Sequence, residues 1–342
     1  MTSNTAAWQT TAKTKRFHLK PAPYTHPGPN ELVVRSAAWA INPVDWLQQD
    51  FGYFPLDYPT ILGEDVAGEV VDVNAAPAHS FRPGQRVLGY ALSLATGRPA
   101  DGAFQEYVVL QANMAARIPD SLSFDRAVVL PLGLATAAAG LFQKGFLELQ
   151  YPALDLDPKP TGQTLLVWGG ASSVGSNAIQ LAVAAGYEVI TTASPRNFAY
   201  VKNLGASQAF DYSSASVADE LVQALEGKTL AGVLDTVNRN GAIQHCLDVA
   251  SRSHGKKAVA SVLQPPAKLP QGVTAKYILA YTIKDNETSR VIFNEFLPKA
   301  LAEGKYQAAP EPYVVGKGLE ALQAGLEARK KGVSAQKIVV TA

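Results

Sequence analysis

The fold is decided by the stretch Thr161–Ala185, whose sequence is TGQTLLVWGGASSVGSNAIQLAVAA. Its first part, Thr164–Trp168, is a short apolar run of the kind that forms a buried strand. Two glycines follow, and they supply the backbone freedom that a sharp turn needs. The apolar positions after the turn recur at helical spacing, and Gly186 then ends the predicted helix. The stretch therefore predicts one strand, one tight turn and one helix.

A helix that begins directly after this turn suits a phosphate ligand. Its unpaired N–H groups and the positive end of its dipole lie at the turn, where they can bind the diphosphate of a dinucleotide. The dinucleotide fingerprint is G-x-G-x-x-G, and here the middle glycine is Ser172. A glycine-rich turn without a ligand explains the pattern alone about equally well. The predicted diphosphate contacts are Gly170, Ser172, Ser173, Val174 and Gly175.

The segments that follow alternate between strand and helix. Tyr187–Ser194 is predicted as a second strand, Phe198–Gly205 as a helix and Ala209–Tyr212 as a third strand. This alternation is typical of a doubly wound parallel sheet. Three further predicted strands bring the sheet to about six: Gly232–Val237, Lys257–Val262 and Val273–Thr282.

The first third of the chain consists of short β-prone runs separated by glycine and proline, which predicts a small barrel-like domain. Helices are predicted at Ser289–Ala302 and Gly318–Arg329, and a final strand at Lys337–Val340. Because an isolated strand needs a sheet to join, we expect the final strand to pair with the N-terminal domain. The predicted domains are residues 1–125, completed by about 290–342, and residues 126–289.

Composition limits the function. The 342 residues include 47% apolar residues, which is enough for sizeable cores. The net charge is +1, from 30 bases and 29 acids, so neither a nucleic acid nor a membrane partner is expected. One cysteine, Cys246, rules against an internal disulfide or a multi-thiolate metal site. Met1–Arg16 is polar and lacks an export signal, so we expect a cytoplasmic enzyme.

Ordered motifs run along nearly the whole chain: Asn42–Asp45, Leu62–Gly68, Pro83–Val87, Gly102–Tyr107, Gly169–Gln180 and Lys337–Val340. Together they resemble the motifs of one enzyme superfamily, the medium-chain dehydrogenases/reductases. Within it the chain is similar to the zinc-free branch of quinone oxidoreductases and, through Val189–Phe198 and Pro131–Thr136, closer still to fungal trans-acting enoyl reductases. The resemblance implies a GroES-like β-barrel catalytic domain and a Rossmann domain with a doubly wound parallel sheet.

A zinc site is not expected. Zinc-dependent relatives use a cysteine and a His-Glu pair as catalytic ligands, together with a cysteine-rich lobe. Here the Gly-His-Glu position is Gly63-Glu64-Asp65, and Cys246 lies on a predicted helix of the nucleotide domain. The carboxylates of Glu64 and Asp65 could bind a hard cation, but we expect them to cap a helix or a turn.

Cofactor choice depends on the end of the second predicted strand. An NAD site has an acid there, about 20 residues past the glycines, whereas the 2′-phosphate of NADP needs donors and positive charge. The residues 192–197 are TASPRN, without an acid, and this favours NADP(H). The predicted contacts are Ser194, Arg196, Asn197 and, by resemblance to this branch, Tyr212. Ser194 could instead cap the next helix, and Tyr212 could pack in the core.

Without zinc, a hydride must go to a carbon that conjugation has made electrophilic, as in an enone, an enoyl thioester or a quinone. The resemblance implies that Asn42 and Asp45 line the nicotinamide cleft and that Thr136 opens the helix facing the nicotinamide. It also implies that the loop 53–58, with Tyr53, closes over the substrate. From the residues alone, Asn42 and Asp45 satisfy a turn equally well, Thr136 can bond back to its own helix, and Tyr53 can be a packing residue.

The chain departs from related enoyl reductases at Leu47, where they commonly carry lysine after the Asn-Pro-x-Asp-Trp motif. This leaves the proton donor open, and with it service to a polyketide synthase as partner. Three functions remain: NADPH-dependent reduction of an activated C=C bond, NADPH quinone reduction, and nucleotide binding without catalysis. The first is preferred, in a monomer or a homodimer.

Overall fold

The computed structural model describes residues 3–74, 81–237 and 239–342. The chain divides into two compact units. The first unit consists of Met1–Leu132, Phe293–Gly304 and Ala308–Ala342. The second unit consists of Gly133–Ile292 and Lys305–Gln307.

The strands are numbered in chain order. They are β1 (Asn4–Gln9), β2 (His18–Ala22), β3 (Glu31–Ala40), β4 (Thr60–Ile61), β5 (Asp65–Asn74), β6 (Arg86–Tyr90), β7 (Tyr107–Gln111), β8 (Ala115–Arg117), β9 (Gln163–Trp168), β10 (Glu188–Ala193), β11 (Gln208–Asp211), β12 (Thr229–Asp235), β13 (Ala258–Ser261), β14 (Thr274–Tyr277), β15 (Glu311–Lys317) and β16 (Gln336–Thr341).

The α-helices are α1 (Pro43–Phe51), α2 (Ser93–Thr96), α3 (Phe124–Ala127), α4 (Pro131–Phe142), α5 (Ser173–Ala184), α6 (Phe198–Asn203), α7 (Val217–Ala224), α8 (Ala242–Arg252), α9 (Glu287–Ser289), α10 (Leu297–Ala302) and α11 (Leu322–Lys331). A π-helical segment, Arg290–Phe296, joins α9 to α10.

The second unit contains one parallel sheet with the strand order β11-β10-β9-β12-β13-β14. The chain runs outward from β9 to β11 and then returns to the other side of β9, so the winding reverses between β9 and β12. Buried side chains such as Leu166, Val233 and Leu247 form the core of this unit. The predicted doubly wound sheet of about six strands is confirmed. Ligands of such sheets bind at the carboxyl ends of the strands, where the winding reverses.

The first unit contains a three-stranded sheet, β2-β1-β4, and a seven-stranded sheet. The larger sheet has the order β15-β16-β3-β5-β6-β8, and β7 pairs with β3. The final strand β16 pairs antiparallel with β3, with Val340 opposite Trp39, so the expected return of the chain to the N-terminal sheet is confirmed. Trp39 and Phe104 are among the largest fully buried side chains.

Three parts of the structure differ from the sequence prediction. The polar N-terminal region forms the hairpin β1–β2, and the exposed segment Glu311–Lys317 forms β15. The Asn42–Asp45 motif, for which a turn was one of two alternatives, forms the start of the nine-residue helix α1, with Asn42 as its N-cap. Pro43 stands at the first helical position, where its missing N–H costs nothing, and the Asp45 carboxylate binds the N–H of Asn42.

The stretch Phe124–Phe142 has the length and apolar composition that a membrane span requires. Of its most apolar window, 78% is buried inside the protein. This is typical of a core helix.

Candidate active site

Side chains hold the turn between β9 and α5. Ser172 is the N-cap of α5: its Oγ accepts the N–H of Gly175 at 2.9 Å and lies 2.8 Å from Oγ1 of Thr236. At position 175 a Cβ atom would lie 2.3 Å from the carbonyl oxygen of Gly169, so only glycine fits where the helix crosses the turn. The serine in the middle fingerprint position therefore caps the helix. Ser173 and Val174 form the first turn of α5, whose dipole and N–H groups suit a diphosphate.

Ser194 and Tyr212 meet where two neighbouring parallel strands end. In β10 and β11 Ala193 lies opposite Asp211, so the residues that follow leave the sheet at the same edge. Ser194 Oγ lies 3.0 Å from the Tyr212 hydroxyl and makes no capping bond to the next turn. Tyr212 is 47% exposed, so it does not pack in the core.

Positive charge at this edge comes from Arg196, which is exposed in the turn Pro195–Asn197. Within the described ranges its guanidinium has no ion-pair partner. The carboxylate at the end of β11, Asp211, accepts the N–H and the hydroxyl of Ser213, and these bonds hold its pKa below the ordinary value. This edge therefore offers a hydroxyl, a phenol and a guanidinium, a set that suits a phosphate better than a ribose diol.

A buried charge network joins three distant parts of the first unit. Lys337 Nζ lies 2.8 Å from Asp65 Oδ2 and 2.5 Å from Asn42 Oδ1. The Asn42 amide donates to the same Asp65 oxygen at 2.8 Å. The other Asp65 oxygen accepts the N–H of Leu132, in the first turn of α4, at 2.6 Å. Asp65 therefore caps a helix, as expected, and also forms an ion pair inside the protein, where Lys337 is 4% exposed.

Two further carboxyl groups, Asp45 and Glu64, are buried beside this network. Burial, supported by the charge of Asp65, raises the pKa of Asp45 to about 7. Burial, followed by the charges of Asp45 and Asp65, raises the pKa of Glu64 well above its ordinary value. Each has one buried carboxylate oxygen without a hydrogen-bond partner in the described part of the chain. Burial beside the Asp65 carboxylate thus favours the protonated form of Asp45 and Glu64.

The loop after α1 is tied down by Gln48, whose side chain is fully buried. Its amide oxygen accepts the N–H of Phe54 at 2.7 Å, and its amide nitrogen donates to the Phe54 carbonyl and to the Tyr58 hydroxyl. Tyr53 is 46% exposed and packs edge-on against Phe54. Thr136 was expected to open its helix but does not: it is buried in the middle of α4, in the second unit, because the helix already begins at Pro131.

Comparison with known proteins identifies the family. The alcohol dehydrogenase GroES-like domain family matches residues 28–120, and the zinc-binding dehydrogenase family matches residues 173–290. Dehydrogenase orf1 of Aspergillus niger is 50% identical over 337 residues, which covers 96% of each chain. The chain belongs to the medium-chain dehydrogenase/reductase superfamily.

Other members of the superfamily agree with this. Trans-enoyl reductase himH of Aspergillus japonicus is 41% identical, covering 98% of this chain and 97% of its own. An alcohol dehydrogenase superfamily protein from Novosphingobium aromaticivorans matches over the full length of both chains, with a TM-score of 0.77 and 25% identity. The predicted fold class, a GroES-like domain with a Rossmann-type parallel sheet, is confirmed. The chain is therefore a reductase of the medium-chain superfamily.

The residues at the superfamily's zinc position do not suit zinc. Zinc in enzymes is bound by thiolate, imidazole and carboxylate ligands, and here Glu64 and Asp65 stand at the His-Glu position. The Asp65 carboxylate already binds the Lys337 ammonium, which also contacts the Asn42 amide oxygen. Across the described residues no group of three His, Cys, Asp or Glu side chains could hold a metal ion. The donor set is that of an internal ion pair.

The sequence prediction missed Lys337 and Gln48 as parts of the site. Lys337 was assigned only to the final strand, although a lysine that begins an otherwise apolar strand is a signal for a buried partner. Gln48 carried no signal, because a polar residue on a surface helix is ordinary. The structure brings Asn42 and Asp45 together in one network and brings Ser194 together with Tyr212. The roles of all these residues in catalysis and binding stay predictions.

Proposed function

We propose that the protein reduces the C=C bond of an enone or enoyl thioester with NADPH and without a metal ion. The observation that carries the proposal is the Lys337–Asp65 ion pair at the position of the zinc ligands. Without a metal ion an alcohol is not easily polarised, whereas a conjugated C=C bond is already electrophilic and accepts a hydride directly. The trans-enoyl reductases among the relatives support this choice over quinone reduction. We place the reaction in the cytoplasm, in secondary metabolism or detoxification.

The residues of the chain have separate tasks in this proposal. When bound, NADPH supplies the hydride that adds to Cβ of the substrate and leaves an enolate. The N-terminus of α5 holds the diphosphate, while Ser194, Arg196 and Tyr212 hold the 2′-phosphate, with Asn197 at the same turn. The loop after α1, residues 52–58, includes the predicted substrate loop 53–58; it is fixed by Gln48 and covers the substrate. The electron pair of the C=C bond moves to the carbonyl oxygen, and a proton then adds at Cα.

Tyr53 is the proposed proton donor, with solvent water as the alternative source. The Gln48 amide donates to the Tyr58 hydroxyl and so fixes that side chain in the loop, and Thr136 is buried, whereas the Tyr53 phenol is exposed. Tyr53→Phe is expected to lower kcat by about 10²-fold with little change in KM, the loss typical of one positioned donor. Steady-state kinetics on a conjugated ketone measure this, with Tyr58→Phe as the matched control. A near-parent kcat for Tyr53→Phe would assign the proton to water.

Arg196→Ala is expected to weaken NADPH binding by roughly 1–3 kcal/mol, the range for a charged hydrogen bond, and to leave NADH nearly unchanged. The reason is that the guanidinium faces a group that only NADPH carries. Fluorescence titration of both cofactors measures the difference. Arg117→Ala, an exposed arginine of β8, is the control and is expected to change neither affinity. Equal affinity of the parent protein for the two cofactors would contradict the NADPH assignment.

Turnover is expected to survive chelation, because the carboxylate that a zinc ion would use is bound to Lys337. Elemental analysis of the purified protein is expected to find zinc well below one ion per chain. Dialysis against a chelator should leave kcat unchanged. Stoichiometric zinc together with loss of turnover on chelation would refute the metal-free mechanism.

One screen tests the function as a whole. NADPH consumption is followed with enones, enoyl thioesters and quinones, and the products are identified by mass spectrometry. A saturated ketone or acyl product is expected from the first two classes. A hydroquinone as the sole product would instead favour quinone reduction. NADPH binding without turnover on any substrate would favour a catalytically silent protein.

A further inference from the structure

The β1–β2 hairpin carries an excess of positive charge, although the net charge of the whole chain is only +1. The first 30 residues contain three lysines and one arginine, and no aspartate or glutamate. Lys13, Lys15, Arg16 and Lys20 are all exposed. Within residues 3–74, 81–237 and 239–342 none of them has an ion-pair partner. The segment Lys13–Lys20, called here the basic hairpin, is therefore an uncompensated basic surface.

The basic hairpin is tied to the helix that leads into the substrate loop. Gln323 of α11 accepts the N–H of Phe17 at 3.3 Å. The same side chain exchanges two hydrogen bonds with Gln49 of α1, each 3.1 Å long. Phe17 also packs edge-on against the fully buried Phe104. The hairpin is thus fixed in position beside the start of the loop 52–58.

The end of the substrate loop lies against the same hairpin. Trp8 and Lys20 line a cavity of about 240 Å³ together with Pro59, the residue directly after the loop. Trp8 also pairs with Ile61 of β4, so this contact is part of the three-stranded sheet. Both ends of the loop that covers the substrate therefore adjoin the basic hairpin.

Exposed apolar side chains occur both on the hairpin and on the helix that leads into the loop. Leu19 on the hairpin is 44% exposed, and Phe51 at the end of α1 is 59% exposed. Protein–protein interfaces combine an apolar centre with a polar rim, and such side chains can supply part of that centre. A small substrate in free solution needs neither the cations nor the apolar side chains outside its own pocket.

We propose that the basic hairpin docks an acidic surface of the protein domain that carries the enoyl substrate. The inference rests on the proposed enoyl reduction, because a tethered substrate that enters under the loop 52–58 brings its carrier against the hairpin. Charge complementarity of this kind raises the rate of productive encounter by 10- to 10³-fold at low salt. The hairpin thereby selects a carried substrate over a free one.

The test compares one enoyl group in two forms: loaded on a recombinant acidic acyl carrier domain, and as a free N-acetylcysteamine thioester. The full-length variant Lys15→Glu/Lys20→Glu is compared with Lys268→Glu/Lys317→Glu. The second pair makes the same change of charge at two exposed lysines outside the segment Lys13–Lys20. For the hairpin variant, kcat/KM on the carrier-bound substrate is expected to fall at least tenfold at low salt. The free thioester should be reduced equally by both variants, which also shows that both are folded.

Binding of the unloaded carrier domain, measured by calorimetry, separates this inference from the proposed function. Weaker binding by the hairpin variant alone supports the docking surface even if no thioester is reduced. Equal kcat/KM and equal carrier binding for the two variants would overturn it. So would hairpin-dependent binding of phosphatidylserine vesicles or duplex DNA together with unchanged carrier binding.

Discussion

Lys337→Met is expected to destabilise the first unit by about 3–5 kcal/mol, the usual cost of breaking a buried ion pair by removing one partner. The Lys337 ammonium lies 2.8 Å from a fully buried carboxylate, Asp65, which would lose its counter-charge. Methionine has a similar length and no charge, so the change tests the electrostatic role. The thermal midpoint is expected to fall by roughly 6–20 °C for a unit of this size, measured by calorimetry.

Two further variants make this result specific. Lys317→Met, at an exposed position on β15, is the control and is expected to stay within about 0.5 kcal/mol of the parent. Lys337→Met/Asp65→Asn is expected to recover most of the loss. Asparagine at position 65 keeps an oxygen for the N–H of Leu132 and gains an amide for the oxygen of Asn42. A Lys337→Met protein that melts with the parent would show that the Lys337–Asp65 pair does not stabilise the folded protein.

The second unit was the more predictable from sequence, because its signals are local. The run Thr164–Trp168 lies within β9, and the N-cap Ser172 and the turn after Ala184 give α5 its bounds. Such strands are buried on both faces, so they consist of apolar residues that stand out in the sequence. The exposed edge strand β15 lacks this signal, since its outward side chains are in contact with water.

The charge network of the first unit could not be predicted, because it depends on contacts between remote residues. Asn42 and Lys337 are separated by 295 positions, and they meet only because β16 pairs with β3. The motif around Asn42 stood out in the sequence, but the two alternatives for it, a cleft lining and a turn, did not include the start of a helix. The lysines and the arginine of the basic hairpin are visible in the sequence, but the net charge of the whole chain, +1, does not reveal such a local excess.

Asp45 is expected to make the stability of the first unit depend on pH near neutrality. Burial raises its pKa from 3.8 to about 7. A group that holds its proton more tightly in the folded protein contributes stability that is fully present below pH 3.8 and is lost as the pH rises through about 7. Between pH 3.8 and about 7 the lost free energy of folding amounts to roughly 4 kcal/mol, at about 1.36 kcal/mol per pH unit. The parent protein is therefore expected to be less stable at pH 8 than at pH 5.

Asp45→Asn is expected to remove that dependence. Asparagine keeps an oxygen for the N–H of Asn42 and carries no charge at any pH, so it resembles the protonated acid. Urea unfolding at pH 5 and pH 8 measures the effect: relative to the parent, the variant should gain roughly 2–3 kcal/mol between the two values. Asp57→Asn, at an exposed loop position, is the control and should show no such gain. If Asp45→Asn differs from the parent by the same amount at both pH values, then Asp45 is already ionised at pH 5, and Lys337 compensates a second carboxylate besides Asp65.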